Sequence, residues 1–237
     1  MKKSQEKKCE FKNINEDGIS KIEKCLEFFD STKIEVLGSI SDSSAFDTFH
    51  NILVGYKLGF TSYSNGKHGW DIKLSENESI YLEVKNISMD ASGNKVSNFN
   101  DTTDDKANSF NKDNVFVAMA LWKFGRPICI IFGRCVDGLS KYFIETTNEN
   151  KNKDTNKRNV INVRAFDFID KYGFKIITEY EPVEILRELG SFDKRFYGLE
   201  CDNVIPLSNF DIRKFISKEN LETHTSKKYL GLDEPLF

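Results

Sequence analysis

Apolar residues recur at helical spacing in two early segments of the chain. Across residues 13–29, Ile19, Ile22, Leu26 and Phe29 fall on one face of a period of about 3.6 residues, which predicts a helix. Across 43–58, Phe46, Phe49, Leu53, Val54 and Tyr56 form a second apolar face, and Gly59 supplies a C-terminal stop. After a turn-rich loop over 61–69, the period changes to two. Residues 70–74 and 79–86 alternate apolar and polar and read as two strands joined by the turn Ser75-Glu76-Asn77-Glu78. Two further strands, 115–122 and 128–136, are apolar runs around Phe124-Gly125-Arg126-Pro127.

Between these elements the pattern turns polar. Residues 88–112 read as a long polar connection whose second half, 101–110, forms a short helix capped by Asp101 or Thr102. Residues 148–159 contain no apolar side chain and read as a solvated loop. Downstream, 184–189, 211–217 and the residues from 218 onward look helical, with Pro182, Gly190 and Pro206 as punctuation. No repeat and no linker interrupts the chain. The expectation is one α/β domain over 1–237, a central mixed β-sheet flanked by helices. Its core spans 43–136, and 137–237 form a C-terminal extension.

Composition narrows the class. Hydrophobic residues make up 39% and charged residues 30%, the balance of a globular chain and not of a disordered one. Twenty phenylalanines predict an aromatic core. No apolar run approaches the roughly 20 residues needed to span a bilayer. The basic start over 1–8 leads into polar residues and not into the apolar stretch of a secretory signal, so a cytoplasmic protein is expected. The five cysteines include no Cys-x-x-Cys pair, and Cys129 and Cys135 sit in an apolar run as small hydrophobes. A formal net charge of −3 denies the chain a basic field over its whole surface, which argues against a DNA-coating role. It leaves room for an enzyme with an acidic metal site and a local basic cleft.

The two alternating strands carry the chemistry. Side chains alternate faces along a strand, so Ile72 and Leu74 oppose Asp71 and Lys73, and Ile80, Leu82 and Val84 oppose Tyr81, Glu83 and Lys85. Paired as a hairpin, they bring Asp71, Glu83 and Lys85 toward one patch at the strand ends. Two carboxylates with a backbone carbonyl and water make a hard-oxygen site suited to Mg²⁺. A neighbouring lysine orients or deprotonates an attacking water. Acid-x-Lys alone is a weak signal, since it recurs at Glu6-Lys8, Glu10-Lys12 and Asp104-Lys106. The pattern at Glu83-Val84-Lys85 differs in closing an alternating strand beside a second strand that carries an acid.

The run Gly69-Trp70-Asp71-Ile72-Lys73-Leu74, followed by Ile80-Tyr81-Leu82-Glu83-Val84-Lys85, resembles the PD-(D/E)XK nuclease superfamily, whose largest group is the restriction endonucleases. Ala45-Phe46-Asp47-Thr48-Phe49 is similar to the family's preceding helix, and Asp47 matches its acidic position. The likeness covers residues 43–136. It departs at Trp70, where the family carries a proline.

The resemblance implies a type II restriction endonuclease, a homodimer that cuts both strands of double-stranded DNA at a short sequence. Asp71, Glu83 and the Val84 carbonyl would hold Mg²⁺, Lys85 would place the water, and Asp47 would support them. The products would be a 5′-phosphate and a 3′-hydroxyl. Basic and amide side chains flanking the site are the candidate DNA contacts: Lys67, His68, Asn86, Lys95 and Lys106, with Lys151, Lys153, Lys157 and Arg158 as a second group. Two other readings remain. One is a repair or defence nuclease of the same superfamily that recognises DNA structure. The other is a DNA- or protein-binding module with an incidental charged hairpin.

Overall fold

The computed structural model describes residues 11–32, 44–64, 70–75, 78–89, 95–100, 102–123, 126–151 and 160–216. Among them, eight strands form one mixed sheet: β1 (Phe11–Asn13), β2 (Ser62–Ser64), β3 (Ile72–Ser75), β4 (Glu78–Ser88), β6 (Val115–Lys123), β7 (Arg126–Arg134), β9 (Lys175–Thr178) and β10 (Val204–Pro206), in that spatial order. Two more, β5 (Val96–Asn100) and β8 (Val160–Arg164), pair antiparallel as a separate ribbon. The helices are α1 (Glu16–Thr32), α2 (Ser44–Lys57), α3 (Asp104–Ser109), α4 (Leu139–Lys151), α5 (Ala165–Asp170) and α6 (Pro182–Phe192). The expected α/β architecture with a mixed sheet flanked by helices is what the chain adopts. No described helix is long and apolar enough to cross a membrane.

The sheet separates two cores. Strand β6 runs down its centre, buried almost throughout, and its alternation sorts residues between the faces. Phe116, Ala118, Ala120 and Trp122 join Ile72, Leu82 and Val84 under α1 and α2. Val117, Met119 and Leu121 join Phe99, Phe110, Phe143, Phe168 and Ile185 on the opposite face, beneath the ribbon and α3 to α6. Phe99, Phe110 and Phe143 meet in tilted and edge-on pairs with centroids 4.7–5.9 Å apart.

Helix α2 is held close to the hairpin by two glycines. A Cβ at Gly55 would stand 2.9 Å from Ile72, so glycine permits the approach of α2 to β3. Gly59, at φ +82°, closes the helix in a Schellman motif: Phe60 N donates to Gly55 O at 2.9 Å and Gly59 N to Tyr56 O at 2.9 Å. Tyr56 itself is exposed and is not part of the buried face, which Ile52, Leu53 and Val54 supply. The side chains of Phe29 and Phe46 lie outside the described residues.

Strands β4 and β6 run parallel, so the chain between them must cross one face of the sheet. That crossover is the segment read from sequence as a polar connection. It contains β5 and then α3, whose N-cap is Thr103, accepting from Lys106 N at 3.2 Å. Thr102, expected as a cap, instead donates to Phe99 O at 3.0 Å, and Asp101 lies outside the described residues.

The C-terminal third is not an appended lobe. β9 pairs antiparallel with β7, and β10 pairs parallel with β9, so residues beyond 136 complete the same sheet. The boundary at 136 therefore has no counterpart in the sheet. The expected loop over 148–159 is also corrected in part, because α4 continues through Lys151. Leu139, Phe143 and Thr147 are buried at every fourth position, so Thr147 extends the stripe, and Asn148 and Glu149 after it are exposed. The expected helix over 184–189 is present as the longer α6. That over 211–217 shrinks to a 3₁₀ turn, Ile212–Lys214, and residues from 217 onward lie outside the described residues.

Candidate active site

The antiparallel register of β3 and β4 sets Ile72 opposite Leu82 and Lys73 opposite Tyr81. Strand β3 begins at Ile72, so beyond it no strand among the described residues pairs with that side of β4, and the Asp71 side chain lies there. Its Oδ2 accepts a hydrogen bond from Val84 N at 2.8 Å. In an extended strand the N–H and C=O of one residue point the same way, so the Val84 carbonyl faces the side on which Asp71 lies.

Glu83 and Lys85 project from β4 toward the face that carries Ile87 and the aromatic core. This is not a solvated hairpin surface: the Glu83 side chain is only 5% exposed and that of Lys85 21%. Lys85 Nζ donates to Glu83 Oε1 at 2.7 Å and lies 5.1 Å from the centre of the Phe99 ring on β5. A second ammonium arrives from α3, where Lys106 Nζ stands 3.8 Å from the same Glu83 oxygen. Trp70 packs edge-on against Phe110 and stacks with Tyr81, closing the apolar side of the site.

Charge in this confined space shifts the titrations. Burial, and then the Glu83 carboxylate, push Asp71 up to about 7 against the opposing pull of Lys85, the Val84 amide and Lys106. Burial pulls the Lys85 ammonium down, but the Glu83 and Asp71 carboxylates, the Glu83 hydrogen bond and Asp47 outweigh it, and the net direction is up. Lys85 is therefore charged at neutral pH. The contribution of Asp47 places this α2 residue within electrostatic reach of Lys85.

Could these groups hold a divalent cation? Among the described residues no cluster of three or more His, Cys, Asp or Glu side chains gathers. The oxygen donors present are those of Asp71, Glu83 and the Val84 carbonyl. Asp71 Oδ1 and Glu83 Oε2 are free of the contacts that engage Oδ2 and Oε1. Burial is the main cause of the raised Asp71 and repulsion from Glu83 the second, and a cation between the two acids would relieve the second. The donor set fits a hard cation that completes its shell with water.

The flanking candidates separate. Asn86 belongs to the opposite face of β4, where its amide is committed on both sides: Nδ2 donates to Asn51 Oδ1 at 2.9 Å, and Oδ1 accepts from Trp122 Nε1 at 2.9 Å. Asn86 is thus an internal clamp between α2, β4 and β6. His50 packs on Trp122 with ring centroids 4.2 Å apart, and burial depresses it to about 4, so its ring is neutral. Lys95 lies away from the cluster, 5.4 Å from the Phe192 ring centre at the end of α6. Lys67, His68, Lys153, Lys157 and Arg158 lie outside the described residues, as does the side chain of Lys151.

Sequence reasoning missed Phe99, Asn51 and Trp122. The spacing of four between Asp47 and Asn51 was the available signal for the second. Phe99 had only the short alternation Val96-Ser97-Asn98-Phe99-Asn100 to announce it. Compared with protein-family models, with curated proteins and with solved structures, the chain matches none.

Proposed function

We propose that this chain is a Mg²⁺-dependent deoxyribonuclease, a type II restriction endonuclease that hydrolyses phosphodiester bonds of double-stranded DNA at a short specific sequence. The observation that carries this reading is the meeting of Asp71, Glu83 and Lys85 at the end of the β3–β4 hairpin, in a site only partly open to water.

Asp71, Glu83 and the Val84 carbonyl would hold Mg²⁺, which supplies Lewis acidity to a phosphoryl oxygen and offsets charge on the leaving 3′ oxygen. Glu83 fixes Lys85 through the 2.7 Å hydrogen bond. Lys85, already charged, acts by donating its remaining N–H bonds to the attacking water or to a phosphate oxygen, not by removing a proton. Lys106 adds a second positive group at the same edge. The phosphorus gains a bond to the water oxygen and loses its bond to the 3′ oxygen; the attacking water gives up its proton to solvent and the 3′ oxygen takes one from solvent, leaving a 5′-phosphate and a 3′-hydroxyl. Cutting both strands of a two-fold symmetric site calls for a homodimer, which light scattering tests directly.

Plasmid and phage DNA incubated with the protein and Mg²⁺ test the reading, with the Lys85→Ala variant as control. Discrete fragments support it. Random degradation points to the repair or defence nuclease, and inertness of the parent protein on all DNA refutes an enzyme of this class.

A further inference from the structure

The β5–β8 ribbon has an outer face whose chemistry the fold does not use. Its register sets Val96 opposite Arg164, Asn98 opposite Asn162, and Asn100 opposite Val160. Alternation sends Ser97, Phe99, Ile161 and Val163 into the core. Asn98, Asn100, Asn162 and Arg164 are exposed on the other face. Asparagine is depleted in strands, and nothing in the packing rewards three of them here. Among the described residues, their side-chain amides and the Arg164 guanidinium make no hydrogen bond or ion pair. Neither strand carries an acid, although the chain has 37.

We infer that the outer face of this ribbon reads base edges in the major groove of duplex DNA, with Asn98, Asn162 and Arg164 as the specificity-determining side chains. The inference rests on the nuclease reading of the neighbouring site. A two-stranded ribbon fits a groove about 12 Å wide, asparagine pairs bidentately with adenine, and arginine with guanine. A face with amides and a cation but no carboxylate complements a polyanion that presents acceptors and donors together.

The ribbon's position fits this role. Phe99, the neighbour of Asn98, turns inward and lies under Lys85. Bases met by Asn98 and a phosphate beside Lys85 would therefore stand apart by about one layer of structure, roughly 10 Å. That is close to the depth of the major groove, about 8.5 Å. The ribbon is anchored on its inner face by Phe99, Ile161 and Val163, and Tyr142 Oη donates to Asn162 O at 3.3 Å. Its outer side chains are thus presented from a fixed backbone.

The test is selection of bound duplexes from a randomised pool, run with the full chain in the Lys85→Ala background with Mg²⁺ so that bound DNA survives. The background protein is expected to enrich a defined motif. Adding Asn98→Ala and Asn162→Ala should cut the preference at adenine positions about 10-fold, and Arg164→Ala should do so at a guanine. Asn98→Asp, which keeps the side-chain size, should shift the same positions and serves if the alanine pair lowers the melting temperature. The same motif from every ribbon variant overturns the inference. So does the absence of any motif, and Mg²⁺-dependent plasmid cleavage by the parent then shows whether the nuclease reading survives it.

Discussion

Asp71 and Val84 are joined across the end of the hairpin, carboxylate Oδ2 to backbone amide at 2.8 Å, and this contact ties the first acid to the strand that carries Glu83 and Lys85. It arises because β3 begins at Ile72, two residues short of Trp70, the position that its register would set opposite Val84. A side chain takes the place of a ladder hydrogen bond, and the price is a carboxylate held near a second one out of water.

That cost has a sign. Asp71 is raised from 3.8 to about 7, so the folded protein binds a proton that the unfolded chain releases. Its stabilising contribution is complete below pH 3.8 and is lost as pH rises to about 7. Asp71→Asn keeps an oxygen that accepts from Val84 N and removes the charge. The variant should be more stable than the parent above pH 7, by on the order of a few kcal/mol, with the gain shrinking toward pH 4. Urea melts at pH 5 and pH 8 check this. Mg²⁺ should raise the melting temperature of the parent at pH 8 and leave Asp71→Asn unmoved.

Lys85 is charged and hydrogen-bonded to the buried Glu83, so its loss should slow turnover and also lower stability, because the carboxylate loses its nearest partner. Lys85→Ala is expected to lower cleavage by about 10²–10⁴-fold while duplex binding persists. Lys85→Arg should fail to restore the rate, since a planar guanidinium cannot occupy the same small space between Glu83 and Phe99. Single-turnover assays beside anisotropy titrations separate the two effects. Equal losses in binding and rate would argue against a role in the chemical step.

The clamp around Asn86 makes a prediction of a different kind. Asn86→Ala leaves the Asn51 amide and the buried Trp122 indole N–H without a partner. Stability should fall by about 1–3 kcal/mol, seen as a lower urea midpoint with an unchanged slope. Sequence-specific binding should change no more than the loss of fold explains. A selective change in base preference would restore Asn86 as a DNA contact.

These residues also show what the sequence could and could not disclose. The hairpin was legible because Ile72, Leu74, Ile80, Leu82 and Val84 repeat with period two, and burial of that face forces Asp71, Glu83 and Lys85 onto the other. What the other face meets was not legible. Glu83 is buried, and Phe99, which lies against its partner Lys85, arrives through the parallel crossover, which no local pattern encodes. Strands β5 and β9 are only five and four residues long, and the asparagines of β5 mask its alternation. Asn86 looked like a surface amide because its partners, Asn51 and Trp122, are 35 and 36 positions away.

Lys106 illustrates the same limit and yields the last prediction. From sequence it is one of several candidate DNA contacts, a lysine in a polar stretch with no local pattern to set it beside Glu83. In the fold, α3 sets its Nζ 3.8 Å from Glu83 Oε1, with the side chain one-third exposed. Glu83 is already engaged by Lys85 at shorter range, so Lys106 contributes little to holding the acid in place. Its charge is better placed for a phosphate at the mouth of the site. Lys106→Ala should leave the melting temperature within a few degrees of the parent and weaken binding to all duplexes alike. The slope of log affinity against log salt should become shallower by about 0.9. Titrations of one duplex between low and moderate salt measure this, and a parallel plot with unchanged slope would remove Lys106 from the DNA surface.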